Sequence, residues 1–252
     1  MRVLQISADR SIQGILYEGS AVAERERAYG AVLGHLDIIG FSRRADARKR
    51  FNISEQVAVY PTNSRSRFFY GIDAFLIALR LLKPDVVSAQ DPFETGGIAW
   101  IIAWMKGVPL HVQVHTDFLS PEFIKVSTLN RLRVLLASFI LRRAIRVRVV
   151  SERIKRGIES HYHLRAPVSV LPIFVDIERF RTAQPDPHLP ERFADFKTVL
   201  LVVSRLEPEK NVGLAISVFA RAALKDSCLI IVGDGSERKK LEKLAEMKGV
   251  GK

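Results

Sequence analysis

The sequence predicts an α/β protein in which parallel strands are covered by helices. Short apolar stretches alternate along the chain with stretches of helical periodicity, and this alternation is typical of parallel sheets. The 252 residues are 48% hydrophobic and 26% charged, a balance that supports a buried core. A proline-rich break late in the chain separates a long first set of elements from a short second set.

Nine stretches are predicted to be strands because they are short, apolar and bounded by polar or turn-forming residues. They are 2–7, 36–41, 57–60, 86–89, 110–114, 146–150 and 168–171 in the first set, then 198–203 and 228–232 in the second. The stretch YGIDAFLIALRLLK is predicted to be a helix that stops at Pro84. Five of its apolar residues fall on one helical face: Ile72, Phe75, Leu76, Leu79 and Leu82. Ser20 and Ser151 are predicted N-caps.

The break predicts two domains of unequal size. Residues 172–196 hold four prolines and no clear period, so 176–196 are predicted to be a linker. Residues 1–175 suffice for one complete Rossmann-like domain. Residues 197–252 provide two strands and two helices, too few to close a second sheet of this kind. We expect this second domain to be incomplete, with an open sheet edge.

The charge and the cysteine count narrow the class of protein. Nine of the cations behind the net charge of +12 lie between Arg131 and Arg156. A solvated helical face is one explanation, and peripheral attachment to an anionic membrane is another. Nucleic acid is not expected, since zinc patterns and ribonucleoprotein motifs are missing from the sequence. Cys228 alone excludes a disulfide framework and is expected to be a core thiol.

The start of the chain does not read as a targeting segment. The apolar run MRVLQIS is interrupted by Asp9 and Arg10 before a signal-peptide core would be complete. The run at 96–105 is too short to cross a bilayer. We therefore expect a cytoplasmic chain, peripheral at most on the inner face of the membrane.

Polar residues follow most predicted strands at their carboxyl ends, where open parallel sheets collect their ligands. In chain order they are Ser7-Ala8-Asp9, Gln90-Asp91-Pro92, His115-Thr116-Asp117, Ser151-Glu152, Ser204-Arg205 and Gly233-Asp234-Gly235. His115 could hydrogen-bond a substrate hydroxyl or transfer a proton, or could be an ordinary loop histidine. Asp91 and Asp117 are further candidates for contact with a ligand at this edge.

Arg205 and Lys210 predict an anion site. They lie on a loop that leads into a helix starting near Val212, and a helix N-terminus with two cations suits a phosphate or diphosphate. The alternative is an exposed ion cluster in which both cations pair with Glu207 and Glu209.

Other site chemistries have less support. VGDGSER lacks the third glycine of a dinucleotide fingerprint but describes a tight strand-to-helix turn. No metal site is expected, because His161 and His163 have no third ligand near them in sequence. A Gly-x-Ser-x-Gly nucleophile elbow is also missing from the sequence.

Two stretches, VLLVVSRLEPEKNVGLAISVFA and LIIVGDGSERKKLEKLA, resemble the opening of a donor domain. The enzymes concerned are the retaining, family-four, sucrose-synthase-like glycosyltransferases of the GT-B fold. VLPIFVDIERF resembles their interdomain connection, and QVHTDF resembles the histidine-bearing loop of their first domain. The likeness covers essentially the whole chain and is most specific in 199–245.

The resemblance implies two Rossmann-like domains, an acceptor on the first and a nucleotide-diphosphate sugar mainly on the second. Arg205 and Lys210 then grip the donor diphosphate and stabilise charge on the leaving nucleotide, without a metal or other cofactor. The same resemblance implies that His115 contacts the transferred sugar and that Gly233 and Gly235 form the turn near the nucleotide. Glu152 is then a further donor-side candidate, and Asp91 and Asp117 are acceptor-side candidates.

Two features depart from the family pattern. The first strand-to-helix loop, SADRSIQGILYEGS, lacks paired glycines. The two glutamates that the family spaces eight residues apart would lie beyond Lys252.

Two classes of function remain open. The first is a hexosyltransferase acting on a glycan or lipid-linked acceptor. The second is a non-catalytic fragment that binds nucleotide sugar weakly, and we expect no measurable transfer from this chain alone. A nicotinamide-dependent oxidoreductase or epimerase is disfavoured by the incomplete glycine pattern.

Overall fold

A computed structural model describes residues 1–8, 21–46, 49–173, 175 and 177–251 of the chain. The chain divides into two compact units, Met1–Phe174 and Val175–Lys252. The predicted N-cap Ser20, the isolated glycines of the first loop and Asp9 lie outside the described residues.

The first unit is built on a sheet with the strand order β3-β4-β2-β1-β5-β6-β7-β8 among the described residues. The strands are β1 (Arg2–Ser7), β2 (His35–Gly40), β3 (Phe51–Ser54), β4 (Val57–Pro61), β5 (Val86–Ala89), β6 (Leu110–Val114), β7 (Arg146–Val149) and β8 (Val168–Val170). Neighbours pair in parallel except for β3, which is antiparallel to β4. All seven predicted strands of this part are confirmed, and β3 is an addition that the prediction missed.

Helices cover both faces of this sheet, but unequally. They are α1 (Ala21–Leu33), α2 (Tyr70–Arg80), α3 (Glu94–Lys106), α4 (Pro121–Val126), α5 (Thr128–Leu141) and α6 (Glu152–His161). Helices α2, α3, α5 and α6 share one large apolar core with one side of the strands. Helix α1 packs on the other side against a smaller cluster around Val3, Ile38 and Val59. The predicted N-cap Ser151 is confirmed, because its hydroxyl accepts from the Ile154 N–H at 3.3 Å.

Helix α2 turns Ile72 and its two leucines outward. Ala74 and Ala78 are fully buried against the core, and Phe75 is partly buried there. Of the other residues predicted to share a face, Ile72, Leu76, Leu79 and Leu82 are 55%, 46%, 47% and 70% exposed. The small alanines let the helix approach the sheet closely, which leaves the leucine side with no covering partner among the described residues of this unit.

The second unit contains two parallel strands, β9 (Thr198–Val203) and β10 (Ser227–Val232), both as predicted. Helix α7 (Ile177–Thr182) lies within the segment predicted to be a linker, and α8 (Val212–Ala222) and α9 (Arg238–Met247) follow β9 and β10. A small core joins Leu206, Val212, Ile216 and Leu241. Cys228 is half-buried in β10.

Candidate functional site

A cavity of about 330 Å³ opens at the carboxyl edge of the first sheet, on the side that carries α1. Its lining comes from α1, from β1, β5, β6 and β7 at or near their carboxyl ends, and from Ile173 after β8. His115 and Asp91, both predicted site residues, line it together with Gln113 and Arg148. Asp117 and Glu152 are not part of this lining.

Gln113 is the centre of the polar network on the floor of the cavity. Its side chain is nearly buried, and Oε1 accepts from Arg148 Nη1 at 2.9 Å while Nε2 donates to Ser88 Oγ at 3.3 Å. These two bonds fix which end of the amide is oxygen. The contact of 3.2 Å between Gln113 Oε1 and His115 Nε2 then requires the imidazole to donate from Nε2. Gln113 therefore fixes a proton on Nε2 of His115, which sets the tautomer whenever the ring is neutral.

Arg148 holds this network from the middle of β7. Besides its bond to Gln113, its guanidinium donates to the Leu171 carbonyl from Nε at 3.1 Å and from Nη2 at 3.0 Å. Strand β7 reads RVRV, with Val147 and Val149 buried and Arg148 on the opposite, cavity side. A cation inside a parallel strand is unusual, because such strands are normally apolar on both faces.

A second histidine lies behind the network and is held neutral. Ser88 Oγ, which accepts from Gln113, is 2.9 Å from His111 Nδ1 and can donate to it. Burial first, and the nearby Arg148 cation second, lower the pKa of His111 to about 4. His111 therefore carries no charge at neutral pH.

We expect Arg148→Met to raise the pKa of His111, because the substitution removes the cation that opposes its protonation. Burial is the larger cause and persists, so the pKa should stay below 6.5. Titrating the imidazole C–H resonances by NMR measures this. Arg153→Met is the matched control, since Arg153 pairs with Asp117 on the surface at 3.2 Å and should leave His111 unchanged. An unchanged His111 pKa in Arg148→Met would contradict the assignment.

Asp91 is half-buried just before α3, and its hydrogen bonds hold the turn that leads into that helix. Its Oδ1 accepts from the Phe93 N–H at 2.7 Å, and its backbone bonds with the Thr95 hydroxyl. Burial raises the pKa of Asp91, and these hydrogen bonds act in the opposite direction. Asp91 thus lines the cavity while it fixes the turn that precedes α3.

Asp117 and Glu152 lie at the same edge of the sheet, beyond the cavity. Asp117 forms an ion pair with Arg153 at 3.2 Å, which ties the loop after β6 to the first turn of α6. Glu152 is exposed in that turn, where its charge complements the helix N-terminus.

In the second unit, the loop after β9 packs against the turn after β10. The Leu206 N–H donates to the Asp234 carbonyl at 2.9 Å, and the Leu206 carbonyl accepts from the Glu237 N–H at 2.9 Å. A Cβ atom added at Gly233 would lie 1.8 Å from the Ser204 carbonyl oxygen, and one at Gly235 would lie 2.3 Å from that of Leu206. The two glycines therefore let two backbones meet, and this contact fixes the loop that carries Arg205.

The two glutamates near Arg205 have different roles. Glu207 accepts from the Ser236 hydroxyl at 2.7 Å, and the hydrogen bonds from Ser236 hold the pKa of Glu207 below its usual value. Glu209 pairs with Arg205 at 2.9 Å, with both side chains more than half exposed. Lys210 is exposed at the end of the short turn Pro208–Lys210. The ion pair considered as an alternative thus exists for Arg205, but its exposed geometry makes it weak.

Two features of these units concern ligands and membranes. Among the residues that the structure describes, no group of three histidine, cysteine or acidic side chains is placed to hold a metal ion. None of the described helices is long and apolar enough to cross a membrane.

Polar residues at the carboxyl ends of parallel strands, as in both units, are typical of ligand-binding α/β proteins. Residues 33–179 match the model of Glycosyltransferase Family 4, and residues 189–252 match that of Glycosyl transferases group 1. The chain belongs to Glycosyltransferase Family 4 and is a glycosyltransferase by family. No curated protein matches the sequence.

Solved structures share the fold at low sequence identity. Sucrose-phosphate synthase from Thermosynechococcus elongatus is 14% identical with a TM-score of 0.74, and the match covers 99% of this chain and 68% of that one. Anabaena HepE in complex with UDP and glucose is 19% identical with a TM-score of 0.67, over 99% and 67% of the two chains. An α,α-trehalose-phosphate synthase (UDP-forming) from Burkholderia vietnamiensis is 15% identical with a TM-score of 0.65, over 98% and 70%. These matches confirm the GT-B fold class, and the chain spans about two thirds of each structure.

Proposed function

We propose that the protein is a retaining glycosyltransferase that moves a hexose from a nucleotide-diphosphate sugar to a glycan or lipid-linked acceptor. One observation carries the proposal. The loop after β9 is held by backbone hydrogen bonds to the turn after β10, and it places Arg205 and Lys210 beside the N-terminus of α8. Solved structures with the same fold were obtained with UDP and glucose and with UDP-glucose, which supports a donor of this class.

The chemistry of the proposed reaction explains why cations are needed there. When the sugar leaves, negative charge develops on the β-phosphate of the nucleotide, and fixed positive groups lower that barrier. A guanidinium fork matches phosphate oxygens, and an ammonium adds a second charge. Because Arg205 and Lys210 can supply this stabilisation, the proposed mechanism does not require a metal ion. The positive end of α8 adds to the same field.

The first unit provides the acceptor side in this proposal. His115 lies at the cavity edge with its tautomer set by Gln113, so Nδ1 carries the acceptor lone pair when the ring is neutral. We propose that His115 contacts the transferred sugar. Asp91 and Asp117 are proposed to lie on the acceptor side, and Glu152, Gly233 and Gly235 on the donor side.

The test is donor binding by the full chain, measured by calorimetric titration with UDP and UDP-glucose. We expect Arg205→Ala and Lys210→Ala each to weaken binding at least about tenfold, because each removes a charge-assisted contact to the diphosphate. Glu209→Gln is the discriminating control. It frees Arg205 from its exposed partner and should leave binding equal or tighter.

A structural role for the ion pair would give a different pattern. Removing either partner of a structural pair has similar consequences, so Glu209→Gln and Arg205→Ala would then behave alike. Donor binding that survives both Arg205→Ala and Lys210→Ala, with unchanged melting temperatures, would overturn the proposed donor site.

A further inference from the structure

We propose that the outer face of α2, α3 and α5 docks onto the surface of an anionic membrane. These three helices lie side by side, since α3 contacts both α2 and α5, and all three share one core with the sheet. Their outer sides therefore form one continuous surface. The proposal does not depend on the donor site.

The outer face exposes more large apolar side chains than a surface in contact with water alone would explain. Leu76 and Leu79 on α2 are 46% and 47% exposed, Trp104 and Met105 on α3 are 74% and 53% exposed, and Leu132 and Leu135 on α5 are 63% and 68% exposed. Single exposed leucines are ordinary, but contiguous apolar patches on adjacent helices mark interaction sites. Such a surface gains free energy when it leaves water.

Cations border the outer face where the three helices end. Arg80 ends α2 and Lys83 follows it, and Arg142 and Arg143 follow α5, all four exposed. Lys106 ends α3, half-buried, and its ammonium donates to the Leu81 carbonyl at 3.1 Å. Arg143 lies over the Phe139 ring, with its guanidinium carbon 3.3 Å from the ring centroid. Helices that connect parallel strands run back against them, so these ends gather at the amino edge of the sheet.

The acidic groups near the outer face do not cancel this charge. Glu94 is paired with Arg133 at 2.7 Å, and Asp85 accepts from the Arg2 backbone N–H at 2.6 Å. Asp73 is the remaining acid on these three helices among their described side chains. Arg131 adds a further exposed cation on α5 itself.

Charge complementarity identifies a lipid surface as the occupant. Leucines and a tryptophan beside lysines and arginines are the composition of helices that lie in the membrane interface. The apolar groups enter the boundary of the acyl chains, and the cations meet anionic headgroups. None of the described helices can span a bilayer, so the attachment would be to the surface.

The test is co-sedimentation of the full chain with vesicles of phosphatidylcholine alone or with one third phosphatidylglycerol. We expect binding to the anionic vesicles that weakens as salt is raised, because salt screens the headgroup contacts. Leu135→Glu and the double variant Arg142→Glu/Arg143→Glu should each reduce the bound fraction at least about fivefold.

Matched controls lie on α1, which packs on the other side of the sheet. Val32 is 87% exposed and Arg27 is exposed, so Val32→Glu matches Leu135→Glu, and Arg27→Glu is the control for a single charge reversal such as Arg142→Glu, both away from the outer face. Equal binding of outer-face and α1 variants would overturn the proposal. The proposal would also be overturned if the chain did not bind vesicles and instead formed a dimer that Leu135→Glu dissociates. Neither result would affect the donor-binding test, which is made without lipid.

Discussion

Alanine at position 233 should destabilise the second unit by about 3 kcal/mol or more and should displace the loop that carries Arg205. Gly233 has a φ of +152°, and its added Cβ would lie 1.8 Å from the Ser204 carbonyl oxygen. Side chains are strained at such a backbone angle, at a cost of about 1–3 kcal/mol. The clash adds to this, because the atom it meets is backbone and cannot rotate away. Amide hydrogen exchange of the Ser204 and Leu206 N–H groups measures both effects.

The control for this substitution is Gly157→Ala in α6. A Cβ atom at Gly157 meets nothing within 4 Å, so alanine should fit there. Since glycine weakens a helix interior relative to alanine, we expect a gain of about 0.5–1 kcal/mol. Gly233→Ala with unaltered exchange at both amides would show that the loop does not depend on the glycine turn.

The structure gives a different physical reason for glycine at positions 233 and 235. The sequence predicted a tight strand-to-helix turn at Gly233 and Gly235, and the family resemblance implied that this turn lies near the nucleotide. The structure shows that each glycine first allows a close approach to the neighbouring loop, at Ser204 and Leu206. The glycines would then serve donor binding through Arg205, which that loop carries.

The strands could be predicted because their signal is local. Runs such as VLLVV and CLIIV are apolar, short and bounded by polar residues, and they form β9 and β10. Strand β3, Phe51–Ser54, was missed because its four residues include only two apolar ones, and it pairs at the sheet edge with a register irregularity. Its pairing with β4 stabilises a strand that its own composition does not predict.

The orientation of α2 could not be predicted from periodicity. The leucine stripe and the alanine stripe are both apolar, so the sequence does not say which one faces the sheet. The sheet selects the alanines, Ala74 and Ala78, through close packing. That choice depends on distances between elements that lie far apart in sequence.

The polar network of the first site was missed for a related reason. Arg148 was counted within a basic run from Arg131 to Arg156, although it lies in the predicted strand 146–150, where the alternation RVRV could have indicated a role apart from the helical cations. Gln113 and Ser88 meet Arg148 and His111 only because β5, β6 and β7 are neighbours in the sheet. The order of the strands in the sheet cannot be predicted from composition. The tautomer of His115 depends on that order.

Burial of His111 should make the stability of the first unit depend on pH between about 6.5 and about 4. The pKa of His111 falls to about 4 in the folded protein, whereas an unfolded histidine titrates near 6.5. Above pH 6.5 neither state binds the proton, and the stability is complete. As the pH falls from 6.5 towards 4, His111 binds a proton in the unfolded chain but not in the folded chain. The free energy of unfolding therefore decreases.

The loss should reach about 3 kcal/mol near pH 4, since each pKa unit corresponds to about 1.4 kcal/mol. Urea unfolding at several pH values, compared between the native chain and His111→Gln, isolates this contribution because Asp91 and the other carboxylates titrate in both proteins. We expect the two curves of unfolding free energy against pH to converge as the pH falls. His188→Gln alters an exposed side chain of the second unit and should leave the curve unchanged. Parallel curves for the native chain and His111→Gln would mean that His111 takes up its proton while folded, and the neutral Ser88–His111 contact would then be wrongly assigned.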